Sequence, residues 1–304
     1  MKIWIAGHKG MVGQALSRRL MGEGHQLLTI NRRDLDLRSQ QAVHRFVAEQ
    51  KPDWIFITAA HVGGIQANAS IPADFLYDNL MIATNILSAS YQYRVPKVLM
   101  VGSSCMYPKL ATQPVKETEL LTGSLEPTNE GYAIAKIAGV KLAQFYRQQY
   151  GCDFITSVPA ACYGPGDNLD ATSNHVIPGL IRRMTEARDA GASEFPVWGT
   201  GKALREFLFV DDLADGLVYL MENYSDEAPI NIGSGIEISI GDLAVNIAEL
   251  VGFKGKVVFD TTKPDGMPRK ILDSSRILSM GWKPKVDLTK GLEMAYRDFM
   301  DRVC

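Results

Sequence analysis

Cysteine is scarce in this chain of 304 residues: only Cys105, Cys152, Cys162 and Cys304 are present, and their spacing fits neither a disulfide framework nor a zinc site. No metal site is expected. No apolar run approaches the roughly 20 residues that span a bilayer. Nor does charge of one sign dominate, since 32 basic against 34 acidic residues leave a net charge of -2. That balance argues against a sequence-independent nucleic-acid binder and against a membrane-surface protein, while a local basic site for a phosphorylated ligand stays open. Internal repeats and low-complexity segments are missing as well. Met1-Lys2-Ile3-Trp4-Ile5-Ala6 runs directly into a glycine loop, so no signal peptide is expected and a reduced, cytoplasmic setting is. What is there is ordinary globular composition, 46% hydrophobic and 22% charged, with enough chain for a large core.

Short apolar runs alternate with amphipathic stretches through the first half. The pattern predicts strands at 3–6, 25–30, 54–59, 97–101 and 154–158, and helices at 12–21, 42–50, 73–94 and 132–150. This βαβ alternation points to an α/β chain with a Rossmann-like, doubly wound parallel sheet, in which 154–158 is expected as the sixth strand. A loop rich in Gly, Asp and Asn follows at 164–174. Beyond it, helices are predicted at 176–190, 211–222, 240–251 (with Ser239 as N-cap) and 289–302, and strands at 205–210 and 230–232. The tail from Lys254 reads as short strands before its final helix. The expected organisation is a dinucleotide-binding unit over 1–160, with 205–228 returning to it, and a smaller mixed α/β substrate lobe from 161–204 and 229–304.

Gly7, Gly10 and Gly13 follow the first predicted strand and open the first helix. Glycines let the backbone turn tightly and approach a pyrophosphate, and a helix N-terminus favours the anion. Three glycines so spaced recur by chance; their place between strand and helix is the confirming context. An NAD-binding fold closes its second strand with an acidic residue, whereas here Asn31, Arg32 and Arg33 stand there. Guanidinium groups suit a 2′-phosphate, which favours NADP(H), and Lys9 is a further candidate phosphate contact. Asp34 and Asp36 lie slightly too late but keep NAD open. The plain alternative is that both arginines are solvated turn residues.

In Gly131-Tyr132-Ala133-Ile134-Ala135-Lys136 a phenol and an ammonium sit four residues apart, on one face of a predicted helix. Alone, such a pair is usually an ordinary helix face. Here Gly102-Ser103-Ser104 ends the preceding strand, at the carboxyl edge where such sheets bind ligands. A nearby cation is expected to lower the phenol's pKa. Tyr132 would then hand a proton to a carbonyl oxygen as hydride reaches carbon, with Ser103 bonded to that oxygen, so Ser103, Tyr132 and Lys136 form the expected catalytic set.

With these residues in place, the chain resembles an extended short-chain dehydrogenase/reductase of the nucleotide-sugar type, and more narrowly the GDP-4-keto-6-deoxy-D-mannose epimerase/reductases. The likeness covers nearly the whole chain. It is carried by Ile5-Ala6-Gly7-His8-Lys9-Gly10-Met11-Val12-Gly13, by Gly102-Ser103-Ser104-Cys105-Met106-Tyr107-Pro108-Lys109 and by Leu125-Glu126-Pro127-Thr128-Asn129-Glu130. Later come Ser173-Asn174-His175-Val176-Ile177-Pro178, Arg205-Glu206-Phe207-Leu208-Phe209-Val210-Asp211-Asp212 and Lys263-Pro264-Asp265-Gly266. The Ser-Ser-Cys and Asn-His-Val-Ile-Pro segments are the most specific.

The resemblance implies a GDP-sugar substrate, epimerisation at the two carbons flanking its ketone, and NADPH reduction to GDP-L-fucose. It makes Cys105 the base and His175 the acid, with Ser103, Tyr132 and Lys136 polarising the carbonyl in both stages. Cofactor contacts are implied at Gly7, Lys9, Gly10, Met11, Val12, Gly13, Arg32, Leu37, Ala59, Ala60, Lys136 and His175. Substrate contacts are implied at Arg183, Trp198, Arg205 and Lys263, and Asn174 would help place the loop bearing His175. A homodimer through a four-helix bundle of the 73–94 and 132–150 helices is implied by the same analogy. Read without the resemblance, Cys105 is a small buried residue, His175 a loop or helix-cap residue, Arg183 a solvated helix position and Trp198 a lobe core residue.

Two departures bear on the sugar. Pro159-Ala160-Ala161-Cys162-Tyr163-Gly164 puts Ala161 where such proteins carry an amide, and His61 stands where lysine is expected. A related GDP-keto-sugar reductase for a deoxyheptose or a colitose precursor is therefore a second reading. A non-catalytic NADP-binding regulator should have lost Tyr132 or Lys136, and a dehydratase would carry Asp-Glu near Ser104-Cys105.

Overall fold

The structure, a computed structural model, describes residues 1–170, 175–263 and 265–303. Its elements run Lys2–Ala6 (β1), Met11–Leu20 (α1), Gln26–Leu28 (β2), Gln40–Gln50 (α2), Trp54–Ile57 (β3), Ile65–Ser70 (α3), Pro72–Gln92 (α4), Lys97–Val101 (β4), Glu130–Tyr150 (α5) and Phe154–Pro159 (β5). Next come Ala161–Tyr163 (β6), Val176–Asp189 (α6), Glu194–Trp198 (β7), Leu204–Phe209 (β8), Val210–Asn223 (α7) and Ile230–Ile232 (β9). Glu237–Ser239 (β10), Ile240–Val251 (α8), Lys256–Asp260 (β11), Arg269–Lys270 (β12), Ser275–Ser279 (α9) and Leu288–Val303 (α10) complete the chain.

A parallel strand covered on both faces reads as an unbroken apolar run. Ile3, Trp4 and Ile5 are such a run, each at most 1% exposed, and each burial is worth about 1.5–3 kcal/mol. Six parallel strands form the main sheet in the order β2-β1-β3-β4-β5-β9. The chain direction across the sheet reverses beside β1, which creates the crevice where open α/β sheets bind ligands. Register aligns the carboxyl ends: Ala6 pairs with Ile57, Ile57 with Met100 and Val101 with Ser157. The segments after β1, β3, β4 and β5 therefore emerge along one edge.

Helices cover the sheet in two groups, α1 with α7, and α2, α4 and α5 in a row. Arg18–Asp211 and Arg19–Asp215 tie α1 to α7, but half-exposed pairs contribute little, and apolar packing holds the helices. α5 turns Ala133, Lys136, Ile137 and Val140 inward at helical spacing and ends at Gly151 in the left-handed region, φ 70°. A second apolar cluster, with Ile181, Met184, Phe195, Leu243, Ile247 and Phe299, packs α6, α8 and α10 around the β7–β11 pair. Ser239 caps α8 by accepting a bond from Asp242 N at 3.0 Å.

Three expectations are corrected. Phe154–Pro159 is the fifth strand, and Ile230–Ile232 takes the sixth place beside it. The boundary at 229 fails with it, since β9 belongs to the main sheet and Leu272, Ile277 and Trp282 pack into the first core. A three-residue apolar strand has no period to reveal which sheet it joins. The strand expected at 25–30 is only Gln26–Leu28, and the short elements β6, β7 and β10 were not foreseen.

Candidate active site

A cavity of about 1380 Å³ runs along the carboxyl edge of the main sheet and under the second cluster. Pockets for one drug-sized ligand span about 300–1,000 Å³, so this one has room for a dinucleotide and a nucleotide sugar together. At one end lies the glycine loop. Gly7 has φ 101°, and a Cβ there would meet Ala59 N at 2.5 Å; one on Gly13 would meet Gly7 O at 2.2 Å. Gly10 heads α1 without a side-chain cap. The uncovered N-terminus and the flat glycine surface fit a pyrophosphate. Lys9, Gly10, Met11, Val12, Arg32, Leu37, Ala59 and Ala60 line the same end, whereas Arg33 does not.

Asp36 also lines this end, but Arg38 grips it with Nε at 3.0 Å from Oδ1 and Nη2 at 2.9 Å from Oδ2. These bonds hold the Asp36 carboxyl at about 2. Arg38 also reaches Asp78, which in turn faces His61 Nδ1 at 3.1 Å. His61 stacks on Phe75 with ring centroids 4.4 Å apart. The Asp36 carboxylate is thus already paired, and Arg32 makes no ion pair among the described residues.

Midway, Ser103, Cys105, Tyr132, Lys136 and His175 all line the cavity. Lys136 Nζ donates to Val101 O at 2.9 Å and stands 5.8 Å from the centre of the Tyr132 ring. Burial lowers the Lys136 pKa to about 8. The expectation that this cation lowers the tyrosine is not met. Tyr132 keeps some exposure as a residue, but its phenolic end is enclosed, and burial pushes its pKa up, with the nearby Cys105 adding and a Ser103 hydrogen bond opposing. The phenol is held protonated, as a proton donor requires.

Cys105 is not the small buried residue of the plain reading. It is partly exposed, and its Sγ receives Asn129 Nδ2 at 3.3 Å and Lys270 Nζ at 3.8 Å. An amide donor and a cation thus both face the sulfur. His175 stands at the N-cap of α6 yet makes no capping bond. Its Nδ1 lies 3.7 Å from Oδ1 of Asp167, a carboxylate only 7% exposed. That pairing raises the imidazole pKa against the opposing effect of burial.

At the far end, the Arg183 guanidinium lies over the Phe195 ring at 5.3 Å and Nε donates to Gly179 O. Arg205 Nη1 donates to Leu204 O at 2.7 Å. Partial burial lowers both arginine pKa values, and neither makes an ion pair among the described residues. Two such cations lining one cavity call for an anion. Trp198 is 66% exposed and so is no core residue. It lines the cavity, with Lys263 Nζ 6.0 Å from its ring centre; Lys263 itself does not line it. Asn174 lies outside the described residues.

Lys270, Asn129 and Asp167 are functional neighbours that no sequence pattern marks. Asn129 sits in a segment that carried the resemblance, but a lone amide has no spacing signal. Asp167 lay in a loop read only as polar, and Lys270 is 165 residues from the thiol it faces.

A doubly wound sheet with a glycine cradle at its switch point and a phenol–ammonium pair beside it defines a dinucleotide-dependent enzyme class. The chain belongs to the NAD dependent epimerase/dehydratase family, whose model matches residues 3–233. It is 51% identical over 302 residues to the GDP-L-fucose synthase of Sinorhizobium fredii, covering 99% of this chain and 96% of that one. Among solved structures, it is similar to a GDP-6-OMe-4-keto-L-xylo-heptose reductase from C. jejuni, with TM-score 0.92, 37% identity and coverage of 99% and 98%. A GDP-L-fucose synthetase from Naegleria fowleri bound to NADP matches with TM-score 0.92, 28% identity and coverage of 99% and 94%.

Proposed function

We propose that this chain is an NADPH-dependent epimerase/reductase that converts GDP-4-keto-6-deoxy-D-mannose into GDP-L-fucose. The observation that carries this reading is the ring of groups around one cavity: a thiol facing a cation, an imidazole raised by a carboxylate, and a protonated phenol between serine and lysine. Similarity to the Sinorhizobium fredii enzyme over nearly both chains supports the substrate, and the NADP-bound Naegleria fowleri structure supports the cofactor.

Cys105 as thiolate takes the proton from a carbon beside the ketone, and the C–H pair moves into an enolate. Ser103 and Tyr132 hold the enolate oxygen, and His175 returns a proton on the opposite face. Once the Cys105 thiol has released its proton to solvent and the His175 imidazole has taken one up, the same steps run at the other flanking carbon. NADPH, when bound, supplies the hydride that turns the ketone into an alcohol. Tyr132 then gives its proton to the oxygen, with Lys136 fixed beneath it by Val101 O. Arg183 and Arg205 take the GDP pyrophosphate, Trp198 the guanine with Lys263 at its rim, and the glycine loop, Lys9 and Arg32 the cofactor phosphates.

The proposal includes a homodimer through α4 and α5, supported by the exposed Tyr77, Tyr91, Phe145 and Tyr150 on these helices. It also includes a cytoplasmic setting; no described helix is long and apolar enough to cross a membrane. A second reading, a related GDP-keto-sugar reductase of the deoxyheptose or colitose type, is favoured by Ala161, which is exposed in the cavity wall without an amide. Incubation with GDP-4-keto-6-deoxy-D-mannose and NADPH separates them. Cofactor oxidation with a product that co-elutes with GDP-L-fucose supports the first, and no oxidation contradicts it.

A further inference from the structure

Asn231 lies at the centre of β9, 0% exposed, and every polar group of its side chain is used. Its Oδ1 accepts the Tyr107 hydroxyl at 2.6 Å. Its Nδ2 donates to Val115 O at 2.9 Å and to Asp273 O at 3.1 Å. The backbone N–H of the same residue donates to Glu117 Oε1 at 3.0 Å. Burial, with Glu117 nearby, pushes the Tyr107 phenol up, so it stays a donor.

One side of this amide leads to the segment bearing the thiol, and the other to the segment bearing the lysine that faces it. Tyr107 stands two residues beyond Cys105, on the loop that leaves β4. Val115 grips the segment that leaves β12: Val115 N donates to Ile271 O at 2.9 Å, and Val115 O accepts Asp273 N at 2.8 Å. Gln113 Oε1 accepts Ile271 N, and Glu206 Oε2 accepts Leu272 N, each at 2.9 Å. Lys270 immediately precedes this clamped stretch, and its Nζ reaches Cys105 Sγ.

We propose that Asn231 is a positioning residue: through Tyr107 on one side and the backbone of Val115 and Asp273 on the other, it sets the separation of the Cys105 thiol from the Lys270 ammonium. Its catalytic consequence rests on the reading of Cys105 as the epimerisation base. An asparagine is required because only an amide offers one acceptor and two donors in one plane. Aspartate would set an oxygen against two carbonyls, and leucine would take this partner from the Tyr107 hydroxyl and from the carbonyls of Val115 and Asp273. A buried network in which every group is satisfied holds its parts in one arrangement.

The test uses the full chain and two readouts. One is the rate at which iodoacetamide alkylates Cys105 at neutral pH, followed by peptide mass, which needs no substrate. The other is deuterium uptake into the sugar relative to hydride transfer. Tyr107→Phe deletes one hydroxyl and keeps the packing. It should slow alkylation about 2- to 10-fold, the worth of one neutral hydrogen bond, and lower deuterium uptake more than reduction, while NADPH binding stays unchanged. Asn231→Asp should do the same or more, and Asn231→Gln should not restore the rate. In the background of Lys270→Met, Tyr107→Phe should have no further effect, because the network acts through that lysine. Alkylation at the original rate in Tyr107→Phe, or effects that multiply in the double variant, would overturn the inference. Deuterium uptake that survives in Cys105→Ser instead sinks the reading of Cys105 as base and the catalytic consequence with it. The alkylation cycle tells the two failures apart.

Discussion

Lys270 Nζ stands 3.8 Å from Cys105 Sγ, across 165 residues of chain. In the proposed mechanism the ammonium offers an opposite charge to the sulfur that takes the proton, and Asn129 adds a hydrogen bond at 3.3 Å. Lys270→Met should therefore slow deuterium exchange at the sugar carbons by about 10- to 100-fold, the worth of a hydrogen bond to a charged group. Reduction of an already epimerised ketone should be nearly unaffected. Equal losses in both steps would count against this role.

Asp167 raises the pKa of His175. A raised value keeps the imidazole protonated to higher pH, so the acid is lost only as pH climbs through that value. Asp167→Asn removes the cause and lets the pKa fall. The alkaline limb of the epimerisation profile should move to lower pH, and the acid limb should stay. A profile that does not move would show that His175 is not the titrating acid.

What the chain reveals by itself is what is local. Gly7, Gly10 and Gly13 announce a turn into a helix within seven residues, and Tyr132 with Lys136 share a face because a helix repeats at that interval. Long amphipathic helices such as α5 and α8 are legible for the same reason. The partners of the thiol and the imidazole are not, because tertiary contact alone joins Lys270 to Cys105 and Asp167 to His175. Desolvation is equally invisible: spacing suggests that Lys136 lowers Tyr132, whereas enclosure raises the phenol and lowers the amine. Strands of two or three residues, such as β6, β10 and β12, are too short to show alternation.

Arg183 and Arg205 both line the cavity, and neither makes an ion pair among the described residues. Replacing either by methionine should raise KM for the GDP-sugar about 10- to 100-fold, as expected for one charge-assisted contact, with NADPH affinity unchanged. Titration of GDP into each variant checks this without turnover. Undiminished GDP binding would remove these residues from the pyrophosphate site.

Arg32 lines the cofactor end while Arg38 neutralises Asp36. Arg32→Ala should weaken NADPH binding and leave NADH binding nearly unchanged. Arg38→Met should free the Asp36 carboxylate and shift preference toward NADH, since a carboxylate accepts from ribose hydroxyls and repels a 2′-phosphate. Fluorescence titration with both cofactors measures the ratio. A parallel loss for both cofactors in Arg32→Ala would contradict the assignment.

The most direct measurement is NMR of the sugar after turnover of GDP-4-keto-6-deoxy-D-mannose with NADPH in deuterated water. A bifunctional site should leave deuterium at both carbons flanking the former ketone as NADPH is oxidised. Cys105→Ser should bind NADPH but leave those carbons unlabelled, and Tyr132→Phe should fail to transfer hydride. A reduced sugar without deuterium at either carbon would make this chain a plain reductase, and the pairing of Cys105 with His175 would then have no part in its chemistry.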